Sequence, residues 1–169
     1  MLKKSILLLF ILVSSIQVNA QKAWFKQKIS DKVSVNFPIE PKKINDQNYG
    51  VRDEDGVAFL VSFVDLLAAT GFSLEQFNKG VIEQSFADEF MGGLTPKLPS
   101  YTFKPAKIII TKANPSYLVY GRDEQKKNTI YMNIVFIDGI SHSLTCIVPD
   151  GKDIKNKDKF LNEIYINGK

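Results

Sequence analysis

A chain of 169 residues with one cysteine, one histidine and two arginines has few side chains with which to do chemistry. Cys146 has no second thiol to pair with, so no intramolecular disulfide is available and the fold must rest on its apolar core. His142 has no second imidazole, so a zinc site would draw most of its ligands from carboxylates, and neither a metal nor a cofactor is expected. The strings His-Glu-x-x-His and Gly-x-Ser-x-Gly, a phosphate loop and a dinucleotide fingerprint are all missing. No catalytic residue is assigned, and the sequence reads as that of a protein that binds rather than transforms.

Net charge is small as well. Beyond Ala20 there are 20 basic and 18 acidic residues, without the basic footprint that contact with nucleic acid calls for. Long apolar runs are scarce. The one at the N-terminus, Ile6–Val13, follows Lys3 and Lys4 and leads to Val18-Asn19-Ala20, the pattern of a secretory signal peptide over residues 1–20 cleaved before Gln21. It is too short for a membrane anchor, and no cysteine near the cleavage site marks a lipid-modified protein. The expectation is one domain over residues 21–169, periplasmic or secreted, at a length that buries a sufficient core.

The strongest signal present is Asn128–Pro149. Thr129–Ile137 and Ile140–Val148 are rich in β-branched and apolar residues, and Asp138-Gly139 between them suits a turn with φ > 0 at both central positions. A two-residue loop pairs Ile137 with Ile140, Val135 with His142, Asn133 with Leu144 and Tyr131 with Cys146. The opposite face then carries Ile130, Met132, Ile134, Phe136 and Ile147 with Ser141, Ser143 and Thr145. Both faces are apolar enough to be covered.

That register places His142, Cys146 and Asn133 on one face, which invites a Cys-His-Asn reading. Distance removes it. Four residues along one strand separate the Cα atoms of His142 and Cys146 by about 13 Å, whereas a nucleophile and its base need about 3 Å between side-chain atoms. A buried free thiol and a partly buried imidazole, bonded to a neighbour such as Asn133, are expected instead.

Upstream, Trp24–Ile29 and Lys32–Phe37 read as strands around Ser30-Asp31, and Pro38 and Pro41 end the second. Gln47–Arg52 and Val57–Asp65 read as strands around Asp53-Glu54-Asp55-Gly56. This turn opens like a calcium loop but continues into Val57, Phe59 and Val61, which are not ligands. Ser73 and Gln76 form a capping box for one helix whose stripe is Leu74, Phe77, Val81, Ile82, Phe86 and Phe90, with Gly92-Gly93 as its stop. Leu94–Pro105, with three prolines, is the longest expected loop. Ala106–Lys112 and Tyr117–Arg122 form a hairpin across Ala113-Asn114-Pro115-Ser116, and a second helix covers approximately Asn156–Ile166.

The two arginines stand in similar strings, Tyr49-Gly50-Val51-Arg52 and Tyr120-Gly121-Arg122, each ending a strand before a turn. A guanidinium fork suits carboxylate or phosphate, and a neighbouring tyrosine can stack on a ligand. Arg52, Arg122, Tyr49 and Tyr120 are therefore the candidate binding residues, provided the fold brings the two strings together. The bland alternative is that each arginine pairs with local acids at the sheet margin.

The leader, the opening Val33-Ser34-Val35-Asn36-Phe37-Pro38-Ile39-Glu40-Pro41, the alternating hairpins, a helix after Phe72 and a helix after the last hairpin together resemble the PsbP/Mog1-like fold group. The likeness extends from Trp24 to Ile166 and is to the bacterial secreted or envelope members of unknown function. It implies an α+β protein, an antiparallel β-sheet built of hairpins flanked by helices on both faces in an α/β/α sandwich. It further implies a non-catalytic binding module: one set of members attaches to photosystem II and another binds a small GTPase. No residues here match the contacts of either set, so no site is carried over, and a leader peptide is at odds with a cytosolic GTPase partner.

Three functions compete. The first is a secreted or periplasmic interaction module that binds protein or assists envelope assembly, which calls for an exposed patch or sheet edge beside Leu94–Pro105. A small-ligand carrier or sensor is the alternative. It needs a cavity of about 300 Å³ or more between sheet and helix, lined by Phe77, Tyr117 or Tyr120. A carboxylate-based hydrolase using Asp65 or the Asp53/Asp55 pair comes third, and needs two carboxyl groups in one cleft.

Overall fold

The computed structural model describes residues 24–166, so the segment read as a leader over residues 1–20 lies outside the described residues. The hairpin at Asp138-Gly139 forms with the register its turn dictates. Strands β9 (Asn128–Ile137) and β10 (Ile140–Pro149) pair Ile137 with Ile140 and run without a bulge to Asn128 and Pro149. Asp138 and Gly139 have φ of 51° and 80°, the left-handed pair of a type I′ turn. A Cβ on Gly139 would also lie 2.3 Å from Leu67 Cγ, so glycine is required here by packing as well as by backbone.

This hairpin is the centre of an eight-stranded antiparallel sheet. The other strands are β3 (Lys42–Asn45), β4 (Asn48–Arg52), β5 (Ala58–Asp65), β6 (Thr102–Phe103), β7 (Lys107–Thr111) and β8 (Asn114–Asp123), in the order β3-β4-β5-β10-β9-β8-β6, with β7 sharing the outer edge of β8. Four helices accompany it among the described residues: α1 (Leu66–Thr70), α2 (Leu74–Gly80), α3 (Gln84–Leu94) and α4 (Lys155–Asn162). Helices α1 to α3 pack on the face that carries Ile130, Met132, Ile134 and Phe136. The other face, with Phe59, Val61, Val135, Leu144 and Cys146, is covered by α4 and by a small sheet of β1 (Phe25–Lys28), β2 (Val33–Phe37) and β11 (Ile164–Ile166) in the order β1-β2-β11. The architecture is α+β, with the antiparallel sheet covered on both sides as expected. No helix among the described residues is long and apolar enough to cross a membrane.

Several elements depart from the sequence reading, each for a local reason. The single helix expected after Ser73 is two. Its capping box forms, but the helix breaks at Val81–Glu83, where the buried Tyr117 hydroxyl donates to the Val81 carbonyl at 2.7 Å. With a side-chain donor for that carbonyl, the chain turns and sends Ile82 to solvent. Tyr117→Phe is expected to cost about 1–3 kcal/mol of unfolding free energy, because the carbonyl is left buried without a donor. Urea denaturation of the two proteins measures it, and an unchanged midpoint would show that water already reaches the break.

Gly92-Gly93 does not stop α3, which continues to Leu94. The end of the chain is also different: Ile164–Ile166 pairs with β2 as a strand instead of extending the last helix. The turn between β7 and β8 is Lys112-Ala113, both with positive φ, and Pro115 belongs to β8 one residue beyond its last pair with β9. There its missing N–H removes no ladder bond to that strand. Leu94–Pro105 is not a plain loop either. It contains a short 3-10 turn at Thr95–Lys97 and strand β6, and Leu98, Tyr101 and Phe103 pin it to the core under α3.

Candidate functional site

The buried residues of α3 are Ala87 and Met91, and beside them Phe86, Glu89, Phe90, Gly93 and Leu94, at helical spacing, line one side of a cavity. Four of these lining positions carry side chains and Gly93 carries none. A Cβ built there meets nothing within 4 Å. Gly93 is solvent-exposed and borders a cavity of about 360 Å³ between α3, α1 and the sheet. Its walls are Leu66, Phe72, Phe86, Phe90, Leu94, Val64, Met132 and Ile134. Its floor is polar: Ser62 and Ser143 face one another across β5 and β10, and Ser141 stands beside Val64 one pair along.

These hydroxyls are only weakly engaged. Ser141 Oγ reaches the Val64 carbonyl at 3.4 Å, and Ser143 Oγ lies 3.4 Å from Thr145 Oγ1, both at the outer limit for O–H···O. Phe72 and Val64 stand half-exposed at the mouth, where Glu89 and Lys97 are the charged lining residues. The arrangement is an apolar chamber with a hydrogen-bonding floor, the usual composition of a small-molecule site. Phe77 and Tyr117, the residues expected to line such a cavity, are instead packed into the core behind it, in edge-to-face contact with Phe136.

Tyr120 lies at a second, basic groove of about 380 Å³ on the opposite face, between β7, β8 and the end of α4. Its ring meets Tyr131 edge-on at 5.5 Å, with the Lys104 ammonium 4.9 Å above Tyr120 and that of Lys157 4.6 Å above Tyr131. The structure does not bring the two Tyr-Gly strings together. Tyr49 and Tyr120 share a face but are four strands apart, about 19 Å at normal strand spacing. Register places Arg52 on the face of Ala58 and Ile147, and Arg122 on the face of Val148. Each guanidinium is bound locally. Arg52 donates to the Gly56 carbonyl, and Arg122 grips Asp150 with two parallel hydrogen bonds that hold that carboxyl below its ordinary range.

The acids considered for hydrolysis serve turns. Asp65 caps α1 by accepting from the Ala68 amide at 2.9 Å, Asp53 accepts from the Val57 amide, and Asp55 lies 3.7 Å from Lys152. Asp65 is at the opposite end of β5 from the other two, and Asp55 is exposed on its turn while Asp53 is engaged by the Val57 amide, so the three do not converge. Asp123, which drew no attention in the sequence, is a fully buried carboxylate that accepts from the Gln125 and Lys126 amides and closes the turn into β9. Among the described residues no three potential metal ligands come together.

His142 and Cys146 occupy one face of β10, each enclosed. Burial pushes the Cys146 thiol up to about 12 and the His142 imidazole down to about 4, away from the values a thiolate–imidazolium pair requires. Asn133 does not bond the imidazole as expected. It donates to the Leu161 carbonyl at 2.8 Å and so ties α4 to the sheet.

No protein-family model matches the chain, and no curated protein sequence does. Solved structures do. The solution structure of cyanobacterial PsbP (CyanoP) from Synechocystis sp. PCC 6803 superposes with a TM-score of 0.59 at 10% identity, covering 90% of this chain and 97% of that one. A crystal structure of a protein from Bacteroides thetaiotaomicron VPI-5482 gives a TM-score of 0.52 at 14% identity, covering 85% of this chain. The match spans only 49% of the Bacteroides chain, about half its length. The fold is PsbP-like.

Proposed function

We propose that this protein is a non-catalytic binding module that holds a small, mostly apolar ligand in the cavity under α3, and that it works in the periplasm or outside the cell. The observation that carries the first part is the cavity itself, about 360 Å³ between α3, α1 and the sheet, walled by Leu66, Phe72, Phe86, Phe90 and Leu94 and holding the hydroxyls of Ser62, Ser141 and Ser143. The second part is supported by Lys3, Lys4, the apolar run Ile6–Val13 and the small residue Ala20.

Gly93→Leu tests the ligand reading. The leucine stands at the exposed edge of the cavity and obstructs it without disturbing the core, so the variant is expected to be about as stable as the parent and to have lost its ligand. Native mass spectrometry of both proteins, purified gently from their own cells, reads this out: an adduct on the parent that is missing from Gly93→Leu is the expected result. A bare parent protein with the same mass behaviour as the variant would count against it. The same spectra give the N-terminus, and a mass beginning at Gln21 is expected.

A second reading, a protein partner, is favoured by the mouth of the same cavity. Phe72 and Val64 are half-exposed apolar side chains there, beside the Leu94–Pro105 segment, and a partner would seat an apolar side chain between them. Gly93→Leu blocks that insertion too. The two readings separate by mass, since a small adduct and a co-purifying chain differ by orders of magnitude.

A further inference from the structure

The floor of the cavity says more about the ligand than its volume does. Across the sheet, Ser62 pairs with Ser143 and Ser143 with Ile134, while Val64 pairs with Ser141 and Ser141 with Phe136. Three hydroxyls thus form a compact triangle on this face, with Thr145 next along β10. Ser141 is 5% exposed, and its one hydrogen bond is the 3.4 Å contact to the Val64 carbonyl. A hydroxyl removed from water normally finds a better partner than that. Ser62 and Ser143 are part-exposed beside Ser141, so all three hydroxyls can turn to a ligand in the cavity.

No charged side chain faces this floor. The charged groups that line the cavity, Glu89 and Lys97, belong to its exposed rim and are of opposite sign. A ligand that carried a full charge to the floor would be stripped of water with no counter-ion, at a cost of several kcal/mol. An uncharged hydroxyl or carbonyl meets three hydroxyls that each donate or accept as required. The rest of the lining is apolar and largely aromatic: Phe72, Phe86 and Phe90 border the cavity with Leu66 and Leu94, and aromatic surface suits a ring.

We propose that the cavity takes an uncharged ring compound with one hydroxyl or carbonyl edge, of the phenol or ring-alcohol class, with its ring against Phe90 and its polar edge on Ser62, Ser141 and Ser143. This rests on the cavity being a ligand site at all, and the test separates the two claims. The probes are 2-naphthol, naphthalene and decanoate, titrated against the full folded protein and followed by amide NMR shifts. Wild type is expected to bind 2-naphthol about tenfold more tightly than naphthalene, the ratio that roughly 1.4 kcal/mol of buried hydrogen bonding yields, with shifts centred on Ser141 and Ser143. In the triple variant Ser62→Ala, Ser141→Ala, Ser143→Ala the two affinities become equal while thermal stability holds. Gly93→Leu loses both.

Equal affinity of wild type for 2-naphthol and naphthalene, both lost in Gly93→Leu, would overturn the polar-edge proposal and leave the cavity reading standing. Preference for decanoate, lost in Lys97→Ala, would overturn it in favour of a charged amphiphile held at the rim. If none of the three probes binds, the cavity reading falls with it.

Discussion

Phe160→Ala is expected to cost the protein about 3–5 kcal/mol, the range for deleting a buried aromatic ring. Phe160 is fully buried, with its ring centroid 5.2 Å from those of Phe37 and Phe59. Those three rings belong to α4, to the small sheet and to the main sheet, so one side chain joins three elements. The helix that carries it has little of its own to hold it in place. It is eight residues long, its N-cap is Ile154 without a side-chain hydrogen bond, and helices this short are marginal in isolation. What keeps α4 in position is the burial of Phe160 and Leu161, together with the Asn133 amide bond to the Leu161 carbonyl. Removing the ring should therefore free α4 and, just beyond it, β11. The measurement is urea denaturation combined with hydrogen exchange: a lower midpoint is expected, with protection lost first at Ile164–Ile166 and retained in β9 and β10. Uniform loss of protection across all strands would mean that the small sheet and the main sheet unfold as one unit and that α4 is not a separable clasp.

How far the sequence could be read follows from where information is local. Asp138-Gly139 fixes a two-residue turn, and the turn fixes the ten residue pairs between its two strands, so the centre of the sheet and the contents of both its faces were legible. The Ser73–Gln76 capping box was legible for the same reason: both partners lie within one helical turn. The break after α2 was not, because its cause is Tyr117, 36 residues further on. Ile164-Tyr165-Ile166 fits either a helix face or a strand, and only the neighbouring edge of β2 decides between them. Strand β3, Lys42–Asn45, is exposed throughout and shows no alternation to detect. The candidate site was the least visible part. Pattern reading finds elements one at a time, whereas the cavity lies between α1, α3 and two strands of the sheet, so its lining comes together only in the fold. The Tyr-Gly strings misled in the opposite direction, since likeness in sequence carries no information about which face of a sheet an arginine will take.

Acid is expected to weaken the protein well before its carboxylates begin to protonate. His142 is 2% exposed, stacks on Phe63 with centroids 6.2 Å apart, and neither ring nitrogen makes a hydrogen bond. The Ile140 and Val135 carbonyls offset part of the burial effect but are not aligned to accept from the ring. The imidazole is thus held neutral, pushed down to about 4 from an ordinary value of 6.5. In the unfolded chain it gains a proton as pH falls through 6.5, whereas in the folded chain it does not until about 4. The unfolded state binds more protons in that window, so the stability contributed by the neutral ring is complete above pH 6.5 and drains away between 6.5 and 4. Between pH 7.5 and pH 5 the loss amounts to about 2 kcal/mol. Because the chain has no other histidine, little else titrates there. His142→Leu removes the group and with it two buried polar atoms that have no partners, so this variant should be no less stable than the parent at pH 7.5 and clearly more stable at pH 5. Chemical denaturation of both proteins at the two pH values decides the matter: parallel behaviour of parent and variant would show that water or a shifted carbonyl already serves the ring.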